Sequence, residues 1–380
     1  MADIWLISVP LDKTSLTSLE KLKRTIAKTN LASCCRFSIP ELKVGTLDNL
    51  LGVSDDLSKF DSLTESVMKR TCQCLKEVME QSSDKVLENT LANGVDLLSY
   101  ATKFQWDRAK YPTALPLRSL VDKISKQVLQ VETELKSRSA AYNSLKASLK
   151  SLERKTEGSL QTRNLNDIVR REDLVDSEYL TTLLVVVARG SYVQWERSYE
   201  SLSQFVVPRS SKRLYEDREG GVFSVTLFKR AVGEFKAKAR QSKFTVREYN
   251  FDLEEQQHQE MKQLGVAKKE QYGIFVRWLK VNFSELFVAW IHLKALRVYV
   301  ESVLRYGLPV GFQALLLQPD KKHMKKLREE LASLFKHLDP TAAASKTDVS
   351  YECDPGLALC QQEYFSYICY QININLLESS

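Results

Sequence analysis

The clearest signal in the chain is a pair of long segments in which apolar residues recur at helical spacing. The first runs from Leu117 to about Lys155, contains neither proline nor glycine, and places its apolar residues near heptad spacing. The second runs from about Leu253 to Tyr306 and changes from a charged first part to an apolar, aromatic second part. A single helix cannot bury such a stripe by itself. The pattern therefore predicts that the two segments run antiparallel and form a helical neck.

The stretch between these helices alternates between strand and helix patterns. β-Branched residues from Thr181 to Val187 predict a strand, and aromatic residues on one side of Ser191–Leu202 predict an amphipathic helix. The remaining predicted elements are a strand at 204–207, a strand at 221–228, a helix at 229–241 and a strand at 244–251. This β-α-β-β-α-β order is that of a ferredoxin-like module. The sequence therefore predicts a small head inserted between the long helices.

Both ends of the chain combine strand and helix patterns. The first part predicts strands at 4–9 and 36–39, helices at 15–28 and 46–81, and an extended aromatic segment at 95–106. The last part predicts a strand at 312–317, a helix at 321–338 and a strand pattern at 363–377, whose alternation slips near Gln371 as it would at a β-bulge or a turn. Because both ends supply strands, we expect them to fold together as a mixed α/β foot.

These patterns together predict an elongated α+β protein. The predicted foot comprises residues 1–116 and 307–380, and the neck comprises residues 117–159 and, with the return helices, 254–306. The predicted head comprises residues 160–253.

Composition places the chain among globular proteins, because 43% of its 380 residues are hydrophobic and 27% are charged. The net charge of +7 permits an acidic protein partner, an anionic membrane surface or nucleic acid, and requires none of them. The longest strongly apolar run, Leu183–Ala188, is far shorter than the ~20 residues that cross a bilayer. The N-terminus lacks a signal-peptide pattern, and the odd number of cysteines, seven, matches no disulfide framework. We therefore expect a protein that folds in the cytosol.

The sequence carries no local signature of catalysis. Neither of the glycine patterns that bind nucleotide phosphates occurs, and neither does the G-x-S-x-G pattern of a serine nucleophile. The four histidines share no metal-ligand spacing with one another or with the cysteines. His292 lies among apolar residues of the second long helix, where a hydrogen-bonded packing role is the favoured interpretation. We therefore expect no catalytic residue, no cofactor and no metal site.

Two basic stretches are the candidate binding surfaces. One opens the helix at 321–338, where cations oppose the helix dipole; this suggests either an acidic partner or a solvated face. The other lies on the second helix of the head, where the aromatic signature of an RNA-recognition module is missing, so protein contact is favoured over nucleic acid. The first stretch comprises Lys321, Lys322, Lys325, Lys326 and Arg328, and the second Lys229, Arg230, Lys236, Lys238, Arg240 and Lys243.

Several stretches resemble those of one family along essentially the whole chain. They are Ile4–Ser8, Ile39–Asp48, Phe104–Asp107, and the uninterrupted run from Val276–Glu285 through Arg305–Pro309. The family is the C subunits of eukaryotic vacuolar-type proton ATPases. The sequence looks like an animal version, and its cysteine content suggests a second isoform.

The resemblance implies a boot-shaped, non-catalytic stator component of a proton-pumping complex. It implies that the head binds peripheral stalks made of subunits E and G, and that the foot meets the a-subunit of the membrane sector. It further implies control of reversible pump assembly, support of organelle acidification, and a place on the cytosolic face of acidic-organelle or plasma membranes; actin binding is also associated with the family. The alternative hypothesis is a free-standing actin-binding cytoskeletal tether. A third, an RNA-binding protein, is disfavoured by the missing aromatic signature.

Overall fold

The computed structural model describes residues 3–11, 17–80, 90–156, 158–247, 249–308, 311–338 and 366–375. The chain divides into two compact units, unit 1 (Met1–Arg138 and Ile274–Ser380) and unit 2 (Ser139–Gly273). Both contain helices and an antiparallel sheet, which confirms the predicted α+β class. Parts of four predicted elements, at 15–16, 81, 248, 363–365 and 376–377, lie outside the described residues.

The helices and strands have the following bounds in chain order. The elements of the first half are β1 (Asp3–Pro10), α1 (Thr17–Thr29), β2 (Ala32–Phe37), α2 (Leu47–Met79), α3 (Leu97–Thr102), α4 (Leu117–Thr156), β3 (Leu180–Ala188), α5 (Tyr192–Ser198) and β4 (Lys212–Glu216). Those of the second half are β5 (Gly220–Phe228), α6 (Val232–Gln241), β6 (Thr245–Arg247), α7 (Phe251–Tyr306), β7 (Phe312–Pro319), α8 (Met324–Leu334) and β8 (Ile368–Asn373). Short 3-10 turns precede α5, α6 and α8 and follow α5 and α8.

The sheet of unit 1 contains strands from both ends of the chain, in the order β2-β7-β1-β8. Its two faces are both buried, because Ile4 and Leu6 pack against the cluster that contains the long helices, whereas Trp5 and Ile7 pack against α1 and α8. A sheet that is covered on both faces produces strands with continuous apolar runs, as in β1.

The predicted irregularity near Gln371 is wrong. β8 pairs with β1 without a break from Asp3↔Asn373 to Ser8↔Ile368, and Gln371 lies opposite Trp5 within this register. The apolar residues of β8 need not alternate strictly, because Tyr370 and Cys369 are both packed against core clusters, one on each face of the sheet.

The two long helices meet within unit 1. Gln127 of α4 donates to Glu285 of α7 at 3.1 Å, and Trp278 of α7 donates from Nε1 to Glu134 of α4 at 3.2 Å. Because the residue numbers in α7 fall as those of their contacts in α4 rise, the two helices run antiparallel there. Their apolar stripes join α2 in the largest core cluster, with α4 contributing Leu120, Ile124, Val128 and Val131.

Unit 2 has the element order β-α-β-β-α-β and the strand order β4-β5-β3-β6, with every neighbouring pair antiparallel. One face of the sheet packs on α5 and α6 through Val185, Phe223 and Val225. The other face is covered by the segment that contains Leu160 and Leu165, which pack with residues of β3 and β5.

Two predicted elements are wrong and others are shortened. The strand expected at 204–207 forms only an isolated bridge from Val206 to Leu227, and β4 is instead the polar segment Lys212–Glu216. Val206 is apolar because it packs in the core of unit 2, whereas an edge strand carries charges that discourage pairing with other chains. The segment at 95–106 contains the helix α3, whose N-cap Asp96 accepts from Ser99 N–H at 2.9 Å. The strand expected at 244–251 ends at Arg247, and α7 begins at Phe251.

Candidate partner-binding surfaces

His292 is a neutral packing residue, as the sequence indicated. Its Nδ1 donates to the carbonyl of Val288 at 2.7 Å, so its Nε2 accepts from Asp107 N–H at 3.0 Å. Phe104 and Trp106 pack edge-on against the ring. Burial lowers the pKa of His292 to about 4, well below physiological pH. The Phe104–Asp107 segment therefore packs on α7 through His292 and has a structural role, not a catalytic one.

Acid should destabilise unit 1 through this histidine. When the pH falls below 6.5, the pKa of this side chain in the unfolded state, His292 of the unfolded chain binds a proton. His292 of the folded chain stays neutral until the pH approaches 4. Stability present above pH 6.5 is therefore lost as the pH falls, by about 2–3 kcal/mol between pH 7 and pH 4.5. Denaturant titrations at both pH values should show a smaller loss in His292→Asn than in the wild type. An equal loss in both proteins would contradict the assignment.

A buried charge cluster in unit 1 escaped the sequence analysis. Asp61 of α2 accepts from Trp290 Nε1 at 2.7 Å and from Lys294 Nζ at 2.8 Å, and it also pairs with Arg297. Asp61 and Lys294 are almost wholly buried. Burial lowers the pKa of Lys294, and the Asp61 carboxylate opposes this effect. One signal in the sequence was available, because Asp61 lies in the apolar stripe of α2 between Leu57 and Thr64.

Three of the predicted basic residues line one groove in unit 2. The basic groove has a volume of about 560 Å³ and is lined by Lys236, Arg240, Lys243, Phe244, Thr245 and Val246. Arg240 lies in the last turn of α6, where a cation is favourable to the helix dipole. Lys243 follows in the left-handed region, with φ of 63°, and turns the chain into β6. Among the described residues, neither Arg240 nor Lys243 has an acidic side chain within ion-pair distance, so these two groove residues carry unpaired positive charge.

The other three predicted residues of unit 2 have partners of their own. Lys229 pairs with Asp176 at 2.8 Å, and Lys238 pairs with Glu234 at 2.7 Å. The guanidinium of Arg230 lies over the ring of Phe205, 3.9 Å from its centroid. The sequence analysis did not predict this stacking. One signal was available in Phe228, the aromatic residue that ends β5. Because Leu227 before it already faces the core, a large aromatic residue directly after it indicates a contact elsewhere.

The predicted basic stretch of unit 1 lies at the start of α8. Asp320 precedes it and accepts from Lys322 N–H at 3.2 Å and from His323 Nδ1 at 3.1 Å; these contacts lower the pKa of Asp320. This carboxylate offsets part of the charge that opposes the helix dipole. Lys322, Lys325 and Lys326 are exposed, and the side chain of Lys321 lies outside the described residues. The stretch therefore presents a solvated basic face.

A search of the described ranges finds no group of histidine, cysteine and acidic side chains arranged to hold a metal ion. Burial raises the pKa of Cys72 and of Cys369 to about 12, so both are thiols and not reactive thiolates. Within those same ranges, no helix has the length and apolar character needed to cross a membrane.

Comparison with known proteins gives full-length matches. The family of V-ATPase C subunits matches residues 4–368. The chain is 56% identical to isoform 1-B of the V-type proton ATPase C subunit from Danio rerio and 54% identical to isoform 1 from Xenopus laevis, and each match covers 100% of both chains. It is 50% identical to isoform 2 from Homo sapiens, again over 100% of both chains.

Proposed function

Because the chain belongs to the family of V-ATPase C subunits, we propose that it is a stator component of the pump's soluble sector that links peripheral stalks to the membrane sector. It is a structural or regulatory component of the complex and not a catalytic one. Its proposed partners are the stalk subunits E and G and the a-subunit of the membrane sector. The full-length identity of 50–56% carries this proposal.

The proposed division of labour gives one role to each of three parts of the chain. A ferredoxin-like head at 160–253 binds a stalk, a neck at 117–159 and 254–306 transmits load, and a boot-like foot at 1–116 and 307–380 meets the a-subunit. The strand order of unit 2 and the sheet that joins both chain ends in unit 1 support this division. The exposed Lys322, Lys325 and Lys326, with the neighbouring Lys321, are the proposed contact of the foot with an acidic partner.

A removable link suits a pump whose activity is controlled by assembly. A rotary motor needs a stator that resists torque, and two moderate interfaces on one chain gain avidity from their linkage. Loosening either interface then releases the whole protein. Through this control the protein supports ATP-driven proton transport and acidification, from the cytosolic face of organelle or plasma membranes.

The basic groove is the proposed contact for an acidic stretch of the stalk. The unpaired charges of Arg240 and Lys243 should speed association and make binding depend on salt. The double substitution Arg240→Glu and Lys243→Glu should weaken binding to the purified E–G heterodimer about tenfold at 0.1 M salt, mainly through the association rate. Surface-immobilised stalk with the full chain as analyte measures both rates.

The double substitution Arg197→Glu and Lys212→Glu is the matched control, because it makes the same charge change at exposed positions of α5 and β4, away from the groove. It should bind like the wild type. Equal affinity of the groove variant and this control would remove the groove from the interface. Failure of the wild-type chain to bind the heterodimer at low salt, together with sedimentation on filamentous actin, would replace the stator proposal with the cytoskeletal tether.

A further inference from the structure

Two aromatic residues and one arginine meet at one end of the sheet in unit 2. Phe228 ends β5 opposite Leu180, and its N–H donates to the carbonyl of Phe205 at 3.0 Å. The rings of Phe205 and Phe228 meet edge to face, with their centroids 6.3 Å apart. This arrangement leaves 38% of Phe228 exposed.

Arg230 completes this arginine–aromatic patch, which comprises Phe205, Phe228 and Arg230. Its guanidinium lies 3.9 Å from the ring centroid of Phe205 and 5.8 Å from that of Phe228. Among the described residues, no carboxylate pairs with Arg230, whereas its neighbour Lys229 is paired with Asp176. Stacking fixes the plane of a guanidinium and leaves its N–H edge able to bind a carboxylate through two hydrogen bonds.

We propose that this patch is the anchor at which a carboxylate-bearing protein surface docks. Arginine is, with tyrosine and tryptophan, one of the residues most enriched among those that carry the binding energy of interfaces. The exposed part of the Phe228 ring offers apolar area at a low cost in conformational entropy, because the backbone bond and the stacking already order it. An acid on the partner would pair with Arg230, and an apolar side chain beside it would cover Phe228.

The surroundings favour protein over nucleic acid. Phe205 and Phe228 meet edge to face, at an interplanar angle of 73°, so they form no flat platform for successive bases. The guanidinium of Arg230 already occupies one face of Phe205.

The patch and the basic groove lie at opposite ends of the sheet. The patch adjoins the pair Leu180↔Phe228, whereas Thr245 in the groove pairs with Val186, near the pair Ala188↔Gly220. β5 has nine residues, so about 30 Å of strand separates its two ends. If the partner is the E–G stalk, which rests on the proposed function, the groove steers encounter and the patch sets how long the complex lasts.

The test is a kinetic comparison of full-length variants on immobilised E–G heterodimer. Arg230→Ala and Phe228→Ala should each raise the dissociation rate about thirtyfold, with an association rate within a factor of three of the wild type. Arg230→Lys keeps the charge but loses the planar fork, so it should also shorten the lifetime of the complex. Val193→Ala is the matched control, since Val193 is 60% exposed and begins α5 at the opposite end of the sheet.

The outcomes separate the two proposals. Wild-type binding with unchanged dissociation rates in the patch variants would overturn the patch and leave the stator function standing. A wild-type chain that does not bind the heterodimer would overturn the stator function and the assignment of the patch to the stalk. Binding of a labelled single-stranded RNA by the wild type that is lost in Arg230→Ala would show that the patch serves nucleic acid. Thermal melting and far-UV circular dichroism are measured for each variant, and values equal to those of the wild type show that the variant is folded.

Discussion

Replacing Asp61 by alanine should cost unit 1 about 3–5 kcal/mol of unfolding free energy, because two cations then remain in the core without their acid. Lys294 is 5% exposed and donates to Asp61 at 2.8 Å, and Arg297 shares the same carboxylate oxygen. Asp61→Asn should cost less, since the amide oxygen can still accept from Trp290 Nε1. Denaturant unfolding followed by tryptophan fluorescence measures the loss, because four of the five tryptophans, Trp5, Trp106, Trp278 and Trp290, lie in unit 1.

Asp55→Ala is the matched control, because Asp55 lies on the exposed side of the same helix. It should change stability by less than about 0.5 kcal/mol. Adding Lys294→Met to Asp61→Ala should recover part of the loss, since it removes one of the two stranded cations. If Asp61→Ala and Asp55→Ala unfold at the same denaturant concentration, the cluster contributes nothing to stability.

Replacing Glu254 by alanine should have an effect of the same size in unit 2, about 3–5 kcal/mol. Glu254 pairs with Arg247 at 3.0 Å and accepts from Leu165 N–H at 2.7 Å, while Arg247 donates to the carbonyl of Leu160 at 3.0 Å. The side chains of the pair are only 10% and 11% exposed. These bonds attach the segment from Leu160 to Val169, which covers the second face of the sheet.

Hydrogen exchange read by mass spectrometry tests this second prediction locally. Peptides that cover 160–169 should lose protection in Glu254→Ala before the strands β3 and β5 do, because the segment is released while the pairing of the strands remains. Glu260→Ala, on the exposed side of α7, should leave the exchange pattern unchanged. Full protection of the segment in Glu254→Ala would show that apolar packing alone holds it in place.

Both clusters explain why the bulk charge of the chain is a poor guide to its binding surfaces. Three cations form ion pairs with buried acids inside the units: Lys294, Arg297 and Arg247. On the surface, neighbouring acids partly offset the charges of Lys229 and Lys238. The salt dependence of binding therefore reports on the charges at the interface and not on the net charge of +7.

The sequence by itself determined the elements that are long or strictly periodic. The stripe from Leu117 and the apolar run that ends at Tyr306 are helices within two residues of their predicted bounds, because a period sustained over many turns is compatible with only one secondary structure. The period also predicted the elements between them, except that the second strand lies at Lys212–Glu216 and not at 204–207. The family was readable as well, since a run such as Val276–Glu285 is far more specific than a short motif.

Tertiary structure decided whatever depends on which residues meet. Val206 looked like part of a strand because a core position and a strand position both select an apolar residue, and only packing distinguishes them. Gln371 looked like a bulge because burial on both faces of a sheet removes the alternation that reveals register. Eleven cations were candidates for binding from their spacing, but the pairing of Lys229 with Asp176 and the stacking of Arg230 on Phe205 are contacts between segments that no local pattern records. The charge of a side chain can be read from the sequence, whereas the group that neutralises or stacks on it is decided by the fold.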